Sequence, residues 1–194
     1  DGSALQTITA GGVSFSAVTF SNSFVGTNFN YTGALTIGGA VTRTTATIIV
    51  QTNNAALVFS GPINGGFAFS ANSGSTPTTF SSIIGGTGAL TDVDVTASII
   101  NSNTTAVTAD GGIGGTTATF TGAVALGANV ALDTDGVGDN NVSFTSTING
   151  GYTLAVTAGT GTVTYAGIVG GTGALVDFDN TAATINLNAT TFTA

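Results

Sequence analysis

The sequence predicts an all-β protein wound as a parallel solenoid, in which short strands circle a common axis and each coil stacks on the one before. Three observations carry that expectation. Residues 59–109 reappear at 144–194, shifted by 85 positions without a gap, and 24 of the 51 aligned residues are identical. Gly pairs recur at 38–39, 65–66, 85–86, 111–112, 150–151 and 170–171, as the corners of a coil would. Between them apolar and polar residues alternate over a few positions at a time. A long period filled with short alternating strands marks a repeat architecture, whose units bury their apolar side only against their neighbours.

Composition agrees with strands and excludes several function classes. Thirty glycines and two prolines in 194 residues, with 42% hydrophobic and 5% charged residues, give a chain too apolar to be disordered. Gly, Thr, Val, Ile, Ser and Asn interrupt every helical face and suit strands and tight turns. No run of 18 apolar residues occurs, so no transmembrane helix is predicted. The net charge of −8 comes from nine Asp against Arg43 alone. Phosphate binding needs a positive surface that this chain cannot build, which argues against nucleic acid and against anionic membranes. His and Cys are absent, which removes Ser-His-Asp and Cys-His chemistry and any disulfide. With Met also missing, the chain lacks readily oxidised side chains, as suits a durable extracellular material.

Taken in order, Val13-Ser14-Phe15-Ser16-Ala17, Val18-Thr19-Phe20 and Phe29-Asn30-Tyr31 each place apolar residues two apart, on one side of a sheet. Tyr31–Gly38 then matches Phe120–Gly127 at a spacing of 89, not 85, so four residues are absorbed between Val41 and Phe59, opposite Asn129–Phe144. Loops tolerate such length change best. The whole of 1–194 reads as one array, with a longer first unit (1–109) and a second unit (110–194). Four coils of roughly 21 residues would account for the 85-residue unit, and roughly eight or nine coils for the chain. Inward faces are expected from Phe67/Phe69, Ile83 and Val93/Val95 in the first unit. In the second they come from Leu154/Val156, Val163/Tyr165, Val176/Phe178 and Ile185/Leu187. Asn64/Asn149, Asn101/Asn186 and Asn103/Asn188 suit either ladders along the stack or left-handed turns.

Segments such as Tyr31–Gly38, Ile148–Leu154 and Ala158–Tyr165 resemble the β-strand repeats of large bacterial surface proteins, in the style of filamentous-haemagglutinin-like adhesins and autotransporter passengers. The resemblance implies a right-handed parallel β-solenoid, secreted or displayed at the cell surface as a stalk, adhesin or fibre. It transfers no catalytic residue. A β-sandwich built with donated strands is the alternative fold, since short strands with Gly turns do not fix parallel pairing.

The ends of the chain suggest a mode of action. Phe192-Thr193-Ala194 aligns with Val107-Thr108-Ala109, which is followed by Asp110-Gly111-Gly112, and the chain opens with Asp1-Gly2-Ser3. Such a chain is expected to be either an excised piece of a longer repeat protein or a subunit that stacks head to tail through Asp1, Gly2, Ser3, Phe192, Thr193 and Ala194. An uncapped solenoid exposes strand edges at its ends, and a contact that does not close makes an open filament.

Two acidic features invite chemistry. Asp133, Asp135 and Asp139, with Gly136 and Gly138 between them, have a spacing able to wrap oxygen ligands round a hard cation such as calcium. An Asx-rich turn that needs no ion is the plain alternative. Asp92/Asp94 and Asp177/Asp179 alternate along strands, about 7 Å apart, a separation compatible with glycoside hydrolysis. Solvated Asp discouraging lateral strand pairing is the reading preferred over catalysis, since both carboxylates recur in a repeat, nothing nearby supplies a basic residue and Arg43 is far off in sequence. No cofactor other than calcium is suggested, and no enzyme is expected. The expected function is mechanical, a surface fibre formed by copies of this chain. The alternative is an adhesin or carbohydrate-binding stalk that meets glycans or a host surface.

Overall fold

A computed structural model describes residues 6–8, 13–15, 18–20, 28–31, 33–43, 48–52, 54–110 and 117–194, with side chains at 33–42, 52, 54–110 and 117–194. The expected polymer residues Asp1, Gly2 and Ser3 lie outside the described residues, as does the Gly pair at 111–112.

The chain is an all-β parallel solenoid without helix among the described residues. Its first three coils are β1 (Gln6–Ile8), β2 (Val13–Phe15), β3 (Val18–Phe20); β4 (Asn28–Tyr31), β5 (Leu35–Ile37), β6 (Val41–Arg43); and β7 (Ile48–Gln51), β8 (Leu57–Phe59), β9 (Ile63–Asn64). Next come β10 (Ala68–Asn72) and β11 (Thr78–Phe80), completed by a bridge at Ile84, then β12 (Asp92–Ser102) and β13 (Ala106–Thr108), then β14 (Thr117–Leu126) and β15 (Val130–Asp133). The array ends with β16 (Asn141–Phe144), β17 (Ile148–Asn149), β18 (Thr153–Thr157), β19 (Thr162–Tyr165), a bridge at Val169, β20 (Asp177–Thr181), β21 (Thr184–Leu187) and a bridge at Phe192. About six turns lie within residues 54–194, where side chains are described almost throughout, and the earlier strands extend the same rows.

Every pairing is parallel and joins a strand to its counterpart one coil on, which makes three faces. Face I stacks Phe29, Val50, Ala71, Val95, Phe120, Phe144, Tyr165 and Leu187 in register. Face II stacks Leu35, Leu57, Thr78, Ile100, Val124, Ile148, Val169 and Phe192. Face III stacks Val18, Val41, Ile63, Ile84, Val107, Leu132, Val156 and Asn180. The long strands β12 and β14 each serve faces I and II by bending at the corner between them, with a register irregularity from Thr96 to Ile99. There Gly122 (φ 132°) stands so close over the Ala97 carbonyl that a Cβ would collide with it.

The lumen is a continuous apolar stack. Leu35, Leu57, Ile63, Val93, Leu90, Ile148, Val163 and Tyr165 are almost wholly removed from water, and each fully buried side chain of this size contributes about 1.5–3 kcal/mol. Aromatic rings stack up the interior: Phe59 on Phe80 with centroids 5.2 Å apart, and Phe120, Phe144 and Tyr165 at 5.1 and 5.3 Å.

The sequence repeat and the three-faced lattice are out of step. Phe59 and Phe80 stand on face II, yet their repeat counterparts Phe144 and Tyr165 stand on face I. Likewise Ile84 is on face III and Val169 on face II, and β12 begins on face I whereas its counterpart β20 is on face III. The 85-residue step is therefore three and two-thirds turns, not the four coils expected. Coils run to 24 or 25 residues where corner loops are long, as from Val95 to Phe120 and Phe120 to Phe144. The four absorbed residues lie where expected, and their loss removes a strand: between β6 and β8 the first unit has β7, whereas between β15 and β16 the second has only the Asp133–Asn140 loop. With one face skipped, everything after the loop is laid down a third of a turn early.

Four expected core residues prove exposed: Ile83, Val176 and, on the last coil, Ile185 and Leu187. Ile83 is at the surface while its neighbour Ile84 takes the interior position, and Val176 is 68% exposed while Leu175 is buried. In strands this short a shift of one residue exchanges inside and outside. Phe69, Val93, Val95, Leu154, Val156, Val163 and Tyr165 are buried as expected. The Asn residues make neither Asn ladders nor left-handed turns. Asn64 and Asn149 accept the backbone N–H of Thr87 and Thr172, and Asn101 and Asn186 donate to the hydroxyls of Thr79 and Thr164, each one coil away.

Candidate assembly edge and acidic loop

At the last coil the interior becomes a surface. Among the described residues β20 pairs only with β18, β21 only with β19, and the Phe192 bridge only with Val169. Strand pattern directs Phe178 and Asn180 on β20, and Ile185 and Leu187 on β21, toward the axis. Ile185 and Leu187 are nevertheless exposed, at 40% and 54%. Phe178 and Phe192 are half-buried against Tyr165, with ring centroids 5.1 and 6.1 Å from it. The Tyr165 hydroxyl donates to the Asn180 side-chain oxygen, and burial holds its pKa well above the ordinary phenol value. Of the expected polymer residues, Phe192 thus packs on the core, Thr193 exchanges backbone hydrogen bonds with Leu175 and Val169, and Ala194 is exposed.

The repeat supplies a covered twin of this edge. β12 and β13 are the counterparts of β20, β21 and the Phe192 bridge, and β14 and β15 lie directly on them. There Val93, Val95, Ile100 and Val107 are buried. Ser102, at the position of Leu187, borders a narrow internal cavity of about 20 Å³ that Phe80, Phe120 and Leu126 also line.

Both acidic pairs point outward along their strands, between buried neighbours on β12 and beside Phe178 on β20. Asp92 is half-buried, and burial followed by the charge of Asp94 pushes its carboxyl up to about 6, although it accepts the N–H of Val93. Asp177 accepts the equivalent bond from Phe178 but lies exposed. The pairs stand on faces I and III, and the residues paired with them are Ala68, Ser70, Thr119, Thr153 and Ala155.

The acidic loop is tied together by its own hydrogen bonds. Asp133 accepts the N–H of Asp135 at 3.0 Å. Asp139, in the left-handed region (φ 46°), accepts the N–H and hydroxyl of Thr160 one coil on, which lowers its pKa. Asp135 shares a hydrogen bond with Asp139, and that bond, with the neighbouring charges, raises its pKa. Beneath them Asn140 is buried, donating to the carbonyls of Thr91 and Ala109, while Thr134 donates to the Asn140 carbonyl. Among the described residues no three acidic side chains converge as a metal-ligand group. The loop's visible work is to close the gap left by the missing strand.

No protein-family model matches the sequence, and no curated protein and no solved structure matches it either. The resemblance to β-strand-repeat surface proteins therefore holds at the level of the β-solenoid fold.

Proposed function

We propose that this chain is a structural element of an extracellular fibre or surface stalk, extended by head-to-tail stacking of copies on its last coil. The observation that carries the reading is the continuous apolar lumen under three rows of parallel strands, the build of a stiff rod; within these 194 residues 92–108 is covered by the next coil and buries its interior residues, whereas 177–192 presents Ile185 and Leu187 beside parallel strand edges of the same kind. Such edges recruit further strands through main-chain hydrogen bonds, with alternate side chains setting register. The charge inventory suits a passive rod, since nine Asp and one Arg keep its flanks mutually repulsive and leave growth to the ends.

The test is electron microscopy and light scattering of the 194-residue chain after dilution from denaturant. Fibres of one width are expected, and Leu187→Asp with Ile185→Asp should abolish them while leaving the circular dichroism of the monomer intact. Discrete rods at all concentrations would remove the proposal, and the chain would then be screened for glycan binding as an adhesin segment.

A further inference from the structure

The outward side of face I, from β14 to β21, is a lattice of hydroxyl and amide groups that carries no charge. On each of these strands the lumen residues alternate with outward ones. One outward column runs in register through Thr119, Ser143, Thr164 and Asn186, and two residues earlier on each strand a second runs from Thr117 to Thr184. Thr121 and Thr145 begin a third, and all of these side chains are half-buried or exposed. Neighbours in the lattice stand about 4.8 Å apart along the rod and about 6.6 Å apart along a strand.

The lattice is regular for reasons that lie beneath it and within it. The rings under it stack almost parallel, Phe120 on Phe144 at 16° and Phe144 on Tyr165 at 7°, whereas adjacent strands of an ordinary sheet turn by about 20–25°. Thr is branched at Cβ and stiff about its first side-chain torsion, so its hydroxyl and methyl repeat with the backbone. The hydroxyls of Thr121, Ser143 and Thr162 meet no hydrogen-bond partner among the described residues, and their donors and acceptors are therefore turned to water.

Neither of the other faces offers this surface. The corresponding column of face III passes from Thr108 through the carboxylate of Asp133 to Thr157. On face II it passes from Asn101 to Ala125, which has no polar side chain. On face I itself Asp92 and Asp94 occupy the two columns one coil below Thr117 and Thr119, and set the lower limit of the uncharged lattice.

We propose that this side of the rod binds the surface of ice. An uncharged face on a chain of net charge −8 selects an uncharged partner. Hydroxyls repeating in two dimensions select a partner that is itself periodic in two dimensions, and the water oxygens on a prism face of hexagonal ice repeat at spacings close to the two given above. Water bridging neighbouring hydroxyls then occupies positions that continue into the crystal. Each bridge is weak, but a rigid lattice pays little ordering entropy and its columns add their contacts together. The site lies on the flank of the rod, so it does not depend on whether copies stack at their ends.

Thermal hysteresis of the 194-residue chain, with the fraction of protein taken up by a slowly growing ice front, tests this. The parent is expected to enter the ice and to hold crystal growth below the melting point. Thr164→Lys, in the middle of the lattice, is expected to lose both effects, and Thr157→Lys, on face III, to keep them, each with the circular dichroism of the parent. Asp92→Asn combined with Asp94→Asn adds a fifth uncharged strand and is expected to raise the hysteresis, a result that stands apart from the folding of Thr164→Lys. Exclusion of the parent from ice, equal loss in the two lysine variants, or retention on an insoluble uncharged polysaccharide with no effect on ice overturns the proposal.

Discussion

Asp92→Asn isolates the electrostatic cost of covering a coil. The carboxyl sits half-buried on β12, with β10 on one side and β14 on the other, and its pKa rises from 3.8 in the unfolded chain to about 6. A raised pKa means that the folded state holds the proton more tightly. The associated stability is fully present below pH 3.8 and is lost as the pH climbs to about 6. A shift of about two units corresponds to about 3 kcal/mol before screening, and solvent reaching a half-exposed group reduces this to about 1 kcal/mol. Asparagine keeps the side-chain oxygen that accepts from Val93 and cannot ionise. Urea denaturation followed by circular dichroism between pH 3.5 and 8 should show the two proteins alike at the acid end, with the variant more stable by about 1 kcal/mol at pH 7.5. Asp177→Asn, on the exposed twin, is the control and should change stability by less than about 0.5 kcal/mol throughout. A variant that is less stable at neutral pH, or offset equally at every pH, would refute the assignment of the cost to ionisation under a neighbouring strand.

Other expectations follow from the same geometry. Ser102→Leu, which installs the residue found at Leu187, should fill the internal cavity and stabilise the fold by about 1 kcal/mol in thermal melts. Loss of stability there would show that the cavity cannot take the added carbons. Tyr165→Ala should cost about 3–5 kcal/mol by removing a ring stacked on Phe144 and edge-on to Phe178, whereas Tyr165→Phe should cost about 1 kcal/mol for the bond to Asn180. Gly122→Val should destabilise by more than 2 kcal/mol, since it adds a collision with the Ala97 carbonyl to a backbone angle that branched side chains avoid.

The solenoid was legible in the sequence because its causes are local. Alternation such as Thr162-Val163-Thr164-Tyr165 names a strand, and the recurring Gly pairs name corners. Val13–Phe15, Val18–Phe20 and Asn28–Tyr31 accordingly appear as strands at those places. Which of two adjacent apolar residues turns inward was not legible at Ile83 and Ile84, because the strand there shrinks to one bridging residue and corner geometry decides. The one-face rotation was equally hidden. The 51-residue match preserves strands and corners but carries no mark of the side of the rod on which they fall, since all three faces make the same parallel hydrogen bonds. Its trace was the four-residue difference opposite the acidic loop, which the spacing located and only the pairing explained. The Asp residues of that loop drew attention as ligands, while Thr134 and Asn140 beside them, whose side chains anchor it inside, carry no distinctive pattern.

The skipped face also bears on how a partner would grip a single molecule. The corner loops 85–88 and 170–173 share one sequence, yet they stand on different edges of the rod and about 18 Å apart along it. A two-headed receptor approaching from one side meets one of them and gains no avidity from the other, because no short linker passes round the edge without lengthening its path. Duplication here repeats a surface loop without repeating it on one side, so that any binder of that loop showing strong bivalent enhancement must either wrap the rod or bridge neighbouring rods.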